Sequence, residues 1–159
     1  YIATLVQEME NALFATDGKN PKTGKHYTEY MDLDSFVKKY WVDEISKNRD
    51  GAKTSHYLYK PENSQSDKIY AGPLWDYDIA FGIHNDSINP KGWFSRTQKE
   101  FYKACFIHKD FEEYKAAKKK MLTLCHTGIV NLDDEHAGDM MAAATCPQLC
   151  AAAPPTDTP

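Results

Sequence analysis

Apolar residues in this chain recur first at helical spacing, then at strand spacing, then at helical spacing again. Ile2, Leu5, Val6, Met9, Leu13 and Phe14 share one face of a predicted helix, with Gln7, Glu8, Glu10 and Asn11 opposite. Asp17-Gly18 stops it, and the polar stretch Lys19 to Tyr27, with Pro21 and nearby glycines, reads as a loop or short hairpin insertion. A second helix starts after Asp32, a residue able to cap the free amides of its first turn. Along it Leu33, Phe36, Val37, Tyr40, Trp41, Glu44 and Ile45 repeat at i, i+3, i+4, i+7, i+8, i+11 and i+12, and Glu44 alone is not apolar. An aromatic stripe of this kind packs into a core. The helix ends near Lys47, ahead of Asn48-Arg49-Asp50-Gly51.

The period then becomes two. His56 to Lys60 and Lys68 to Ala71 read as short strands joined by the polar turn Pro61 to Asp67, a hairpin. After Gly72-Pro73 comes Leu74-Trp75-Asp76-Tyr77-Asp78-Ile79-Ala80-Phe81-Gly82, two carboxylates inside an aromatic run, followed by a polar loop. The remainder is expected to be helical, over Thr97 to Ile107, Asp110 to His126 and Asp133 to Ala144. The pattern therefore predicts an α+β fold, mainly helical, with one small hairpin. The Pro-rich end, from Ala151 to Pro159, has no core-forming side chain and reads as linker or disordered tail.

Composition narrows the function classes. The 159 residues suit one domain of ordinary size, and three Trp, ten Tyr and seven Phe exclude wholesale disorder. Asp and Glu number 23 against 19 Lys and Arg, a net charge of −4, which argues against a nucleic-acid binder. Nothing approaches the roughly 20 apolar residues of a membrane span. Lys118-Lys119-Lys120 is expected to be a solvated helix face.

Candidate chemistry concentrates in two acidic sites flanking the hairpin. Asp50 lies in a tight loop just past a helix end, and Asp76 and Asp78 follow the second strand. Burying carboxylates among Trp75, Tyr77, Ile79 and Phe81 would cost several kcal/mol unless a cation or hydrogen-bond donors compensate. Mg²⁺ is a natural partner, since it prefers carboxylate oxygens and completes its shell with phosphate and water. The plainer alternative is that one Asp caps a turn and the other is solvated. An EF-hand is excluded: counting from Asp76, Ala80, Phe81 and Ser87 stand at the fifth, sixth and twelfth positions, where ligands and a glycine are required. Helix, Asp-bearing loop, hairpin and second acidic site is also the order of parts in kinase-type phosphoryl transfer.

With that order in view, Asp32-Leu33-Asp34-Ser35-Phe36, Asn48-Arg49-Asp50, Ser55-His56-Tyr57-Leu58-Tyr59-Lys60 and the run from Gly72 to Gly82 closely resemble the spore coat protein H (CotH) kinase family. The resemblance is continuous from about Tyr30 to Gly82 and looser to about Met140. It implies a divergent protein-kinase-like fold and phosphorylation of coat or secreted proteins with ATP and Mg²⁺ or Mn²⁺. On that resemblance Asp50 matches the catalytic Asp, Asp76 the metal-binding Asp, and Asp78 is a second candidate ligand. Ser55 stands where kinase-like sequences carry the Asn of a second metal, and a hydroxyl is a weaker ligand there. Lys53 either neutralises phosphate charge or is simply an exposed loop lysine.

No Gly-rich loop or strand-borne lysine precedes Ile2, so the resemblance implies a C-terminal lobe over 1–146 and a tail over 147–159. The N-terminal lobe is then missing, and little activity is expected of this lobe alone. Localisation at a cell surface, spore coat or outside the cell is likewise an implication of the family. The rival reading is a non-catalytic surface or coat protein using the same fold for adhesion or assembly. Cys105, Cys125, Cys146 and Cys150 allow three pairings that the sequence leaves open. Cys105 and Cys125 fit as small core residues, and Cys146 to Cys150 as a tight loop able to hold a disulfide. A zinc site with His126 or His136 fits no standard spacing.

Overall fold

A computed structural model describes residues 1–84, 88–89, 92–113, 128–131 and 148–151. The chain forms two compact units, Tyr1–Asn89 with Trp93–Glu112, and Pro90–Gly92 with Glu113–Pro159. The elements of the first unit are α1 (Ile2–Leu13), α2 (Tyr27–Tyr30), α3 (Leu33–Ser46), β1 (Leu58–Tyr59), β2 (Tyr70–Ala71), α4 (Ser95–Gln98), α5 (Glu100–Cys105) and all but the last residue of α6 (Lys109–Glu113). The second unit contains β3 (Gly128–Asn131) and β4 (Gln148–Ala151). Helices with a small antiparallel sheet make the first unit α+β, as the periodicity implies. Among the described residues, no helix is long and apolar enough to cross a membrane.

Helix α3 organises the first unit. Asp32 caps it, its carboxylate accepting from the Ser35 amide at 3.0 Å. Lys47 closes it in the left-handed conformation. Phe36, Tyr40 and Trp41 are buried as expected. Tyr40 sits edge-on to Tyr102, Phe106 and Phe111, with ring centroids 5.0, 4.8 and 6.3 Å away. This aromatic cluster draws α5 and α6 onto α3. Burial pushes the Tyr40 phenol well above its ordinary range, with Glu44 adding to the effect.

Glu44, the one polar member of the apolar stripe, has a definite use. Its carboxylate accepts from the Phe94 amide at 2.6 Å and the Arg96 amide at 3.0 Å, which are free donors at the start of α4. Ile45, placed on the same face by spacing, is instead exposed.

Helix α1 buries Met9, Ala12 and Leu13 in its C-terminal half, while Ile2 at its start and Phe14 just past its end are exposed. The following insertion is a small hairpin, pinned by the Lys19–His26 bridge and by Asn20, whose side chain accepts from Lys22 and Thr23. Helix α2 begins at Tyr27, the last residue of the stretch that reads as a loop. It forms because His26 and Glu29 make a capping box and because Tyr27 and Tyr30 are buried. The Tyr27 hydroxyl donates to Asp110 at 2.5 Å, joining α2 to α6.

β1 and β2 pair antiparallel with Leu58 opposite Ala71 and Tyr59 opposite Tyr70, a shorter hairpin than the pattern suggests. The helix expected over Thr97 to Ile107 is broken at Lys99, whose backbone is extended between α4 and α5. The helix beginning near Asp110 is described only to Glu113, and the one expected from Asp133 to Ala144 lies outside the described residues.

The strands of the second unit lie outside the helices expected there, and periodicity does not predict them. Gly128–Asn131 and Gln148–Ala151 are parallel strands, with Val130 opposite Cys150. The β-branched pair Ile129-Val130 favours extended backbone, and Gln148 to Cys150, read as a tight loop, is strand instead.

Candidate functional site

The Asp50 loop follows α3 directly. Its carbonyl accepts from the amides of Lys53, Thr54 and Ser55 at 3.1, 3.2 and 3.1 Å, and its own amide donates to Asn48 Oδ1 at 3.1 Å. These bonds leave the half-buried Asp50 carboxylate as the chemically open part of a tightly turned segment. Ala52 within the turn is left-handed, with φ 56°.

Ser55 joins this loop to the second acidic site. Its amide holds Asp50 at the carbonyl, and its hydroxyl donates to Asp76 Oδ2 at 2.6 Å. One buried residue thus touches both sequence-predicted acidic positions. Asp76 is left-handed at φ 64°, an unusual conformation for a non-glycine residue.

The expectation of buried carboxylates in the aromatic run is corrected. Asp76 and Asp78 are both exposed, and Trp75 and Phe81 are exposed at 59% and 73%. The run is a series of turns along the surface, not a core strand, so its carboxylates stay hydrated and carry no large burial cost. Lys53 is also exposed.

Sequence reasoning missed the residues beneath the loops. Asp43 is completely buried on α3, where helical spacing marks it as polar. Its Oδ2 accepts from Lys39 Nζ at 2.7 Å and from the Tyr102 hydroxyl at 2.6 Å, while Oδ1 accepts from the Tyr77 hydroxyl at 2.5 Å. Gly51 closes over it: a Cβ there would stand 2.7 Å from Asp43 Cγ. Burial, followed by the bond to Asp43, raises the Tyr77 phenol above its ordinary range.

Lys99 is a second missed residue. It is buried and donates from Nζ to the carbonyl of Arg49. Burial holds its ammonium below the usual lysine range. Lys53 and Arg49 act in the same direction, and Asp50 and Asp43 oppose them. The break between α4 and α5 at Lys99 was the available signal, but it is visible only in the fold.

A hard divalent cation fits this donor set. Asp76 is exposed with one carboxylate oxygen engaged by Ser55, Asp78 is an exposed carboxylate two residues on, and Mg²⁺ commonly takes one or two carboxylates with phosphates and water. Among the described residues, no group of three or more His, Cys, Asp or Glu side chains is gathered for an all-protein metal centre. Cys105 is buried and forms no disulfide, in keeping with a small core residue.

The model of the family described as CotH kinase protein matches residues 1–126. The chain belongs to the CotH kinase family. No curated protein and no solved structure matched in the corresponding searches. The CotH match takes in α1 to α6, both acidic loops and the Asp43 cluster.

Proposed function

We propose that this chain forms part of a CotH-like atypical protein kinase, moving the γ-phosphate of ATP to Ser/Thr-type hydroxyls of a coat, surface or secreted protein. The observation that carries the reading is the dual bond of Ser55, to the Asp50 carbonyl and to the Asp76 carboxylate. It ties the loop of a general base to a carboxylate suited to hold a cation.

Asp50 accepts the proton of the substrate hydroxyl as that oxygen bonds to the γ-phosphorus and the bond to the β-phosphate oxygen breaks, leaving ADP. Asp76, with Asp78, would hold Mg²⁺ or Mn²⁺, which would supply neutralising charge for the phosphates. Ser55 orients Asp76 by hydrogen bonding rather than as a primary ligand. Lys53 and Lys99 add positive charge beside Asp50, Lys53 from the exposed side.

The test takes the longest natural polypeptide that contains this chain, supplies ATP with Mg²⁺ or Mn²⁺ and a hydroxyl-bearing protein, and compares the parent with Asp50→Ala and Asp76→Ala. Transfer should fall about 100-fold or more in both variants. Nucleotide binding in the presence of Mn²⁺ should survive Asp50→Ala and weaken in Asp76→Ala. Equal transfer and equal binding in all three would move the assignment to a non-catalytic surface or coat protein.

A further inference from the structure

Asp43 takes no part in the proposed chemistry, yet both acidic loops rest on it. It receives hydrogen bonds from three side chains on three segments: Lys39 of α3, Tyr102 of α5, and Tyr77 beside Asp76. Gly51, beside Asp50, packs against the same carboxylate with no room for a methyl group. The immediate neighbours of the two candidate functional aspartates therefore meet at one buried anion.

Asp76 gives that meeting point a purpose. Its left-handed backbone persists only where flanking contacts hold it. On one side Ser55 fixes its carboxylate. On the other, Tyr77 is tied to Asp43, and further along Phe81 donates its amide to the Ser46 carbonyl at the end of α3, at 2.7 Å. Of these ties, the Tyr77–Asp43 bond is next to Asp76 in the chain and anchored in the rigid interior.

We propose that Asp43 is a positioning residue, setting Asp76 against Asp50 through Tyr77 on one side and Gly51 on the other. The inference rests on the reading of Asp76 as a cation ligand. It extends that reading to the internal support of the site. Supports of this kind commonly change metal affinity by 10- to 100-fold without touching the metal.

Two matched variants test it, because Tyr77 and Tyr102 each donate one phenolic hydrogen bond to Asp43 and only Tyr77 adjoins an acidic loop residue. Mn²⁺ binding to the full chain in the presence of ATP would be followed by the electron paramagnetic resonance of free Mn²⁺, with the Mn²⁺ taken up by the same concentration of ATP alone subtracted. Thermal unfolding by circular dichroism would run in parallel. Tyr77→Phe should weaken Mn²⁺ binding about tenfold. Tyr102→Phe should leave it within about twofold of the parent while lowering the melting temperature at least as much.

Gly51→Ala, which presses on Asp43 from the other side, should also weaken binding, and it serves where Tyr77→Phe does not fold. Equal Mn²⁺ affinity in Tyr77→Phe and Tyr102→Phe, or unchanged affinity in Gly51→Ala, overturns the positioning role. Asp76→Asn separates the two levels. If the parent binds Mn²⁺ no better than Asp76→Asn, the cation reading itself falls and the positioning role with it. If Asp76→Asn loses binding but Tyr77→Phe does not, only the positioning role falls.

Discussion

Asp43 and Asp76 are carboxylates joined to the same small region and treated in opposite ways. Asp43 is sealed inside the first unit, with an ammonium and two phenols donating to it. Asp76 faces solvent and takes one bond, from Ser55. A buried anion must be saturated with donors because water cannot serve it, and once saturated it has nothing left to offer a ligand. An exposed anion held at one oxygen keeps coordinating capacity. On the proposed reading of Asp76, fold and chemistry are divided between two residues of the same type, and Tyr77 connects them.

The comparison breaks most visibly at the buried partner. Asp43→Ala leaves Lys39 charged and unpaired in the interior and strips Tyr77 and Tyr102 of their acceptor. The expected loss is about 3–5 kcal/mol, read from urea unfolding. Glu44→Ala should cost about 2–3 kcal/mol, since the Phe94 and Arg96 amides lose a charged acceptor.

Acid should distinguish the two sides next. His56 lies tilted against Phe101 with ring centroids 4.8 Å apart, both its ring nitrogens lack partners, and burial holds its pKa down to about 4, with Lys39 pushing the same way and Asp43 opposing. Between the ordinary histidine value and about 4, the unfolded chain binds a proton that the folded chain refuses. Stability therefore falls as pH drops through that window and levels off below it. From about pH 7 to about pH 5 the loss is about 2 kcal/mol, and His56→Phe should flatten this part of the curve. Smallest of all, Asp76→Asn should change stability by no more than about 0.5 kcal/mol, because an exposed site contributes little to folding. A larger loss there would show that Asp76 is structural like Asp43.

The legible and illegible parts of the molecule follow the same division. Helix α3, its Asp32 cap and the hairpin were readable because each follows from local spacing or one side chain. Asp50 and Asp76 stand out as candidates because their motifs are continuous in sequence, and the structure adds the Ser55 bonds that join them. The burial of Lys39 and Asp43 was not. Four residues apart on a helix, such a pair ordinarily marks a solvated face, and only Tyr77 and Tyr102, 34 and 59 residues away, turn it inward. The aromatic run around Asp76 misled in the other direction. Trp75 and Phe81 have the composition of a core strand but lie on a turning surface segment. The strands of the second unit depend on pairing between residues about 20 positions apart, which periodicity within each segment does not encode.

Glu44 has a consequence for how this region comes apart. By holding the Phe94 amide, 50 positions further on, it ties off a loop that contains both acidic sites. Lengthening such a loop by a few residues raises the free-energy cost of closing it by less than about 0.1 kcal/mol, so its surface turns can vary in length at small thermodynamic cost. Opening the knot is a different matter, because it frees the whole circuit at once. In amide hydrogen exchange, Phe94 and Arg96 should show the same opening free energy, that of the circuit opening as one cooperative unit.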